Sequence, residues 1–332
     1  MAEQGEVMVY AQIHNGQLAG VTPELLGAGS KLAKELGVKL SAALLGSGLG
    51  QQAQELIAYG ADRVYTMEGP GLEGYLADAH VTAMAQLCRE VAPAILLLGH
   101  NIVGRDLAPR LACRLKTGLC TDSLELALDP ATHELLCSRT IYGGNINAVF
   151  ALERQPKMTT VRPKTQEATP RDDSHKGEVI PVPVAIDPSQ IRDTYIGTVK
   201  EEASGVKIED AEFVITGGRG IGGPEGFGIL EEVAKLFGGA VGGTRAAVDA
   251  EWLPSERQVG LTGKIVSPNI YVAVGLSGSM QHMVGCSGSK TIVAINTDPN
   301  APIFLKAHFG IVGDYHKVMP RFLDKCKELL KD

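Results

Sequence analysis

The sequence predicts an α/β protein built as two domains, each a parallel sheet sheathed by helices. Three observations predict it. Short apolar runs alternate with helix-length amphipathic segments from the start of the chain. Those runs are apolar throughout, as strands covered on both faces must be. The alternation stops at a proline-rich stretch and resumes beyond it. With 332 residues, the chain is long enough for two domains of ordinary size.

Residues 7–13 read as the first strand, and 23–36 carry Leu25, Leu26, Leu32 and Leu36 at helical spacing. Residues 40–45 follow as a strand, 51–59 as a helix, 63–67 as a strand and 75–91 as a longer helix. The run 94–98 is wholly apolar, and the helix 101–115 places Leu107, Leu111 and Leu115 on one face. The pattern then changes. Segments 124–128, 133–142 and 146–152 read as strands joined by turns, one at Gly143-Gly144, and predict an antiparallel extension. Residues 163–188 hold five prolines around the polar string RDDSHKGE. Proline fixes φ and removes a donor, so a long helix is excluded and a domain connection is expected. The expected domains are 1–190, a scaffold, and 205–332, a ligand-binding unit. In the second, 213–216, 269–273 and 291–296 read as strands and 226–237 as a helix. The closing helix, 316–331, sets Phe322, Cys326, Leu329 and Leu330 on one face, with Pro320 in its first turn, where a missing N–H matters little.

Composition removes several function classes. Apolar residues at 44% and charged residues at 21% exclude bulk disorder. The 40 glycines are about 12% of the chain against a usual ~7%, which argues for tight turns and close backbone approaches. A formal net charge of -7 speaks against a nucleic-acid partner. No apolar run approaches the ~20 residues that span a bilayer. The opening MAEQGEVMVY has no basic stretch, so neither a secretory signal nor a transit peptide is expected. Six cysteines without a C-x-x-C pair suit neither a zinc ribbon, an iron–sulfur cluster nor a disulfide scaffold, and a reduced, cytoplasmic compartment is expected. The eight histidines do not cluster at ligand spacing, so no metal site is expected.

Chemistry concentrates in the second half. In VITGGRGIGG (214–223), Gly218, Gly220 and Gly223 match G-x-G-x-x-G between a strand and a helix. There, bare N–H groups and a helix start can receive a diphosphate, although a plain tight turn fits the same residues. A nicotinamide site also wants an acid about 20 residues on. LFGGAVGGTR (236–245) ends instead in Thr244 and Arg245, with Asp249 later. A second small-residue turn follows a strand in AVGLSGSMQH (273–282), where Ser277, Gly278 and Ser279 offer hydroxyls and N–H groups. Its G-x-S-x-S pattern is a poor match to a hydrolase nucleophile elbow. Beyond it, IVAINTD (292–298) and GIVGDY (310–315) each bring a polar residue, Asn296 or Asp314, to the end of a buried strand or apolar turn. On these residues alone, a stand-alone NAD-dependent oxidoreductase and a non-redox nucleotide-binding regulatory protein both stay open.

Five motifs taken together sharpen the reading. GGRG (217–220), VGGTRAAVDA (241–250), QVGLTGKIVSPNIYVAVGLSGSMQH (258–282), IVAINTDPNAPIF (292–304) and GIVGD (310–314) occur in this order. They resemble the FAD-binding domain of the α subunit of electron-transfer flavoproteins, the FixB family. In the first half LLLGHN (96–101), APRLA (108–112) and MTTVRP (158–163) resemble that family too. The resemblance implies an N-terminal Rossmann-like domain of the adenine-nucleotide α-hydrolase kind and a doubly wound C-terminal FAD domain. It also implies a heterodimer with a β subunit, which the first domain would contact.

The activity implied is electron transfer between flavoprotein dehydrogenases or NADH and another acceptor, through FAD rather than by converting a substrate. Bifurcating members of the family add ferredoxin or flavodoxin as partners. Carried over by motif, Arg219 and the Ser277–Gly278–Ser279 turn would face the diphosphate. Thr244, Asn296 and Asp314 would hold ribose, ribityl or adenine groups, and Arg245, Thr262 and His282 would surround the isoalloxazine. Val259, Gly260, Leu261, Met280, Gln281 and Tyr315 complete the implied binding set. In that picture Arg245 supplies a fixed positive field, Thr262 a hydroxyl at N5 and His282 a donor toward the anionic N1–C2=O edge. Three positions depart from the family pattern. Leu261 replaces a usual glutamine, Thr244 a common serine and His308 a common aspartate.

Overall fold

A computed structural model describes residues 5–142, 146–187, 189, 191–194, 196 and 206–330. The Gly143-Gly144 turn and the expected boundaries at 190 and 205 lie outside the described residues. The chain divides into two compact units, Met1–Thr198 and Val199–Asp332.

In the first unit, β1 (Val7–Ala11) is apolar and buried along its length. The strand expected over 7–13 breaks there, because Asn15 and Gly16 take positive φ (51° and 76°). They turn β2 (Ile13–His14) onto β3 (Gln17–Leu18) in a small antiparallel hairpin. Asn-Gly is the pair that a type I′ hairpin turn favours. There follow α1 (Val21–Leu36), β4 (Leu40–Gly46), α2 (Gly50–Ala58), β5 (Arg63–Glu68), α3 (Ala77–Val91), β6 (Ile95–Gly99) and α4 (Ile102–Leu115). Next come β7 (Leu119–Ser123), β8 (Glu125–Leu128), β9 (Leu135–Ile141), β10 (Ile146–Ala151), β11 (Lys157–Val161) and β12 (Glu178–Pro181). Seven of these strands form one parallel sheet in the order β12-β5-β4-β1-β6-β11-β7. Side chains alternate across it. Val7, Val9 and Ala11 enter one core with Leu25 and Leu26, while Met8 and Tyr10 enter the other with Met84 and Leu87. The expected antiparallel extension is a separate sheet, β10-β9-β8.

One reading needs correction. The proline-rich stretch is more than a connection, because β12 within it pairs in parallel with β5. It does so at the sheet edge, where a proline such as Pro181 removes no needed ladder bond.

The second unit runs β13 (Phe213–Gly217), α5 (Phe227–Leu236), β14 (Ala240–Gly243), α6 (Arg245–Asp249), β15 (Ile270–Val274), α7 (Met280–Val284), β16 (Thr291–Asn296), β17 (Phe309–Val312) and α8 (Tyr315–Leu329). Its sheet is parallel throughout, in the order β14-β13-β15-β16-β17. Phe213, Ile215, Val272 and Val274 pack with Phe227, Leu230, Met319 and Leu323. Val214, Tyr271 and Ala273 point into the opposite core.

Two details differ from expectation. The buried face of α8 is Tyr315, Met319, Leu323 and Cys326, with Leu329 and Leu330 exposed in the last turn and Pro320 inside the helix rather than in its first turn. β17 is the sheet edge and all four of its residues are exposed, so the segment 310–315 is not a buried strand.

Candidate functional site

In the second sheet β13 sits between β14 and β15, so the chain leaves β13 in one direction and returns to the other side for β15. Loops at the C-terminal ends of such strands part and leave a crevice for ligands. A cavity of about 770 Å³ opens there, lined from the loops after β13, β14, β15 and β16. That volume is within the range of small-molecule and cofactor sites.

The cavity brings together Arg219, Thr244, Arg245, Val259, Gly260, Leu261, Thr262, Ser277, Gly278, Ser279, Gln281, His282 and Asn296. Three expected residues are not in its lining. Met280 is exposed. Asp314 caps α8, its carboxylate accepting from the His316 N–H at 3.0 Å. Tyr315 is buried in the α5–α8 core and donates its hydroxyl to the Ile221 carbonyl at 2.7 Å. The lining also includes Gln258, Asp249 and Asp298, which lie within the motifs but outside the implied binding set.

The glycine signature works differently from expectation. The Gly218 N–H donates to the Val274 carbonyl (2.9 Å) and the Gly220 N–H to the Gly275 carbonyl (2.8 Å), so neither is free for a ligand. A Cβ on either glycine would lie within 2.6 Å of the Gly275 oxygen. These glycines let the loop after β13 close onto the loop after β15. The second small-residue turn is more open. Gly278 adopts φ +78°, and Ser279 N-caps α7 without its hydroxyl making the capping bond. The first N–H groups of a helix have no intrahelical acceptor, so this turn keeps donors to spare.

The polar side chains differ in how far they are already committed. The Thr244 hydroxyl is buried and makes no hydrogen bond. Thr262 Oγ1 accepts from Gln258 at 2.9 Å, which leaves its own hydrogen free. Asn296 donates to the Leu276 carbonyl and accepts from the Asp298 N–H, and so fixes the loop after β16. Arg245 pairs with Asp249 at 3.3 Å on an exposed helix. Leu261 puts an apolar side chain, 53% exposed, on the cavity wall. His308 accepts from the Ile292 N–H at 2.9 Å and serves the backbone beside β16 rather than the cavity.

His282 differs most from its expected role. It is buried, with Nε2 2.8 Å from the Tyr271 hydroxyl and Nδ1 3.1 Å from the Val259 carbonyl. A carbonyl only accepts, so Nδ1 carries the hydrogen and Nε2 accepts from Tyr271. Neither ring nitrogen is left as a donor to the cavity. Burial pulls the imidazole down to about 4, with the Val259 bond pulling the other way. Together with the Leu261 N–H to Gln281 carbonyl bond (2.7 Å), the ring fastens the 258–264 loop to α7.

Elsewhere, all six cysteines are free. Among the described residues no group of three or more His, Cys, Asp or Glu is placed to hold a metal, and no helix is long and apolar enough to cross a membrane.

Comparison with known proteins matches residues 7–187 to the electron transfer flavoprotein domain and residues 207–287 to the electron transfer flavoprotein FAD-binding domain. The chain is 43% identical to the electron transfer flavoprotein subunit alpha of Thermoanaerobacterium thermosaccharolyticum, over 99% of this chain and 100% of that one. It is 40% identical to Protein FixB of Clostridium saccharobutylicum, over 99% and 98%. It is 35% identical to the acryloyl-CoA reductase electron transfer subunit beta of Anaerotignum propionicum, over 97% and 96%.

Proposed function

The chain belongs to the electron transfer flavoprotein family, among its α subunits, and from that premise we propose that the cavity above β13, β14, β15 and β16 is where its FAD sits. The observation that carries this reading is the Thr244 hydroxyl, buried on the cavity wall without a partner. A buried hydroxyl left unpaired is destabilising, and a ribose or ribityl hydroxyl would satisfy it. Arg219 and the Ser277–Ser279 turn would take the diphosphate, a dianion suited to a guanidinium fork and spare N–H groups. Arg245, Thr262 and the loop pinned by His282 would border the isoalloxazine. When bound, FAD supplies reversible uptake and release of one or two electrons. The chain's own part is to hold that ring, exclude water from it and set the local field.

The function proposed is electron carriage between a flavoprotein dehydrogenase or NADH and another acceptor, which in a bifurcating pair would be ferredoxin or flavodoxin. The chain would act in a heterodimer with a β subunit. Its N-terminal unit would be the scaffold, and the sheet β10-β9-β8 supports that assignment. On β10, Ile146 and Phe150 share one face and Val149 lies on the other, all three exposed, and exposed apolar side chains of this kind suit a partner surface.

Purifying the chain co-expressed with its β subunit tests the reading. A yellow heterodimer is expected, with flavin lost from the Arg219→Ala, Thr244→Val double variant. Full flavin retention in that folded variant would move the FAD elsewhere.

A further inference from the structure

A row of polar side chains lies behind the cavity and is left without a role by flavin binding alone. Tyr271 on β15 is 0% exposed and His282 is 5% exposed, and their side chains meet at 2.8 Å. Strand register places Val214 opposite Tyr271 and Thr216 opposite Ala273. Thr216 and Tyr271 are therefore diagonal neighbours on one face of the sheet, within reach of a tyrosine side chain. Thr216 is 0% exposed, and its hydroxyl has no partner in full hydrogen-bond geometry, yet it lies close enough to act on the Tyr271 hydroxyl as a hydrogen-bonding group. A core hydroxyl without a partner calls for an explanation.

We propose that Tyr271 and Thr216 are positioning residues of the flavin site, a hydrogen-bond relay that lets His282 accept a proton. In the neutral ring Nε2 accepts from the Tyr271 O–H. If Nε2 takes up a proton from solvent hydronium, leaving water behind, it becomes a donor and the Tyr271 oxygen must accept. Tyr271 then needs a new acceptor for its own hydrogen, and Thr216 Oγ1 is that acceptor. No heavy-atom bond forms or breaks, and imidazole plus one proton becomes imidazolium. The added positive charge is favoured when negative charge accumulates in the cavity that His282 lines.

The relay matters because the surroundings otherwise oppose protonation. Among the described residues, the groups facing the ring are the Tyr271 hydroxyl from β15 and the Val259 carbonyl from the 258–264 loop. Cys286, just beyond α7, donates its thiol to the His282 carbonyl at 3.8 Å and also acts on the Tyr271 hydroxyl. None of these groups carries a charge at neutral pH. Arg219, Arg245, Asp249 and Asp298 are the charged side chains that line the same cavity.

This inference rests on the cavity being the flavin site, and its test separates the two claims. The FAD-loaded heterodimer, labelled with ¹⁵N-histidine, is titrated by NMR in oxidised and dithionite-reduced forms, as wild type, Tyr271→Phe and Thr216→Val. The expected result is that reduction raises the proton affinity of wild-type His282 at least tenfold, and that each variant removes most of that rise. Phe differs from Tyr by one oxygen and Val is close in shape to Thr, so two independent variants guard against misfolding. A rise of wild-type size in Thr216→Val, or no rise in the wild type, overturns the relay. Flavin retention in the same samples judges the cavity assignment separately. A structural role alone would lower stability in the variants and leave the His282 titration unchanged.

Discussion

The Tyr271 hydroxyl lies 2.8 Å from Nε2 of His282, whose other nitrogen is 3.1 Å from the Val259 carbonyl. One imidazole thus joins a core strand, a short helix and the loop that borders the cavity. The first unit holds a counterpart. His80 sits between the Tyr10 hydroxyl (2.9 Å) and the Gly74 carbonyl (3.0 Å), with the roles of its two nitrogens exchanged. Burial pulls both rings down to about 4.

Stability should therefore fall in mild acid. Both rings are neutral in the fold but titrate near 6.5 when unfolded. Between those values the unfolded chain binds more protons, so stability is full above about pH 6.5 and is lost as pH falls toward 4. At about 1.4 kcal/mol per pH unit, each ring removes on the order of 3 kcal/mol across that window. Urea midpoints measured from pH 7.5 to 4.5 should show the decline, and His80→Gln should remove about half of it, leaving the share of His282. A wild-type midpoint that is constant with pH would count against neutral buried rings.

Thr244→Val should separate folding from binding. The hydroxyl has no partner in the fold, so its removal should leave the thermal midpoint of the flavin-free chain unchanged or raised. Flavin affinity should drop by roughly 2- to 10-fold, the equivalent of one hydrogen bond of about 0.5–1.5 kcal/mol. Fluorescence titration with FAD reads the second effect and calorimetry the first. A loss of stability with unchanged affinity would contradict the assignment.

Arg219→Ala should weaken flavin retention by roughly 10- to 150-fold, since a hydrogen bond to a charged group is worth about 1.5–3 kcal/mol. Arg219→Lys should recover only part of it, because an ammonium lacks the planar fork. Equilibrium dialysis of FAD at two salt concentrations measures this. The wild type should lose more affinity in salt than Arg219→Ala does.

Gly278→Ala should destabilise the second unit. Gly278 adopts φ +78°, and an added Cβ would lie 2.5 Å from the Ile303 backbone. Left-handed strain alone amounts to about 1 kcal/mol, and the backbone clash adds to it. Hydrogen exchange should show faster opening around β15 and α7 and unchanged protection in β1 and β4.

The sequence makes the buried parallel strands legible because VMVYA and ILLLG have no other economical reading than strands covered on both faces. β7 and β11 stay hidden because LCTDS and KMTTV are rich in hydroxyls. Ser123, Thr159 and Thr160 are buried yet satisfied, by the 2.7 Å contact between Ser123 and Thr159 and by His100 and the Asp122 N–H on Thr160, which no local pattern announces. β12 is masked by Pro181 and the prolines around it, which an edge position tolerates. At the site, motif order brings out Arg219, Thr244, Ser277–Ser279, Gln281 and His282, all of which line the cavity. What stays hidden is the orientation of donors. Gly218 and Gly220 spend their N–H groups on the β15 turn, and His282 spends both nitrogens on Tyr271 and Val259. Those bonds depend on which strands are neighbours, and spacing along the chain does not give that order.

The central claim is that the crevice above β13–β16 is the flavin site, and a crystal structure of the FAD-loaded heterodimer tests it most directly. The account predicts FAD density filling this cavity, with diphosphate oxygens within hydrogen-bond distance of Arg219 or the Ser277–Ser279 turn and a flavin hydroxyl on Thr244. Density for the FAD outside this cavity, with Thr244 still unpartnered, would contradict it.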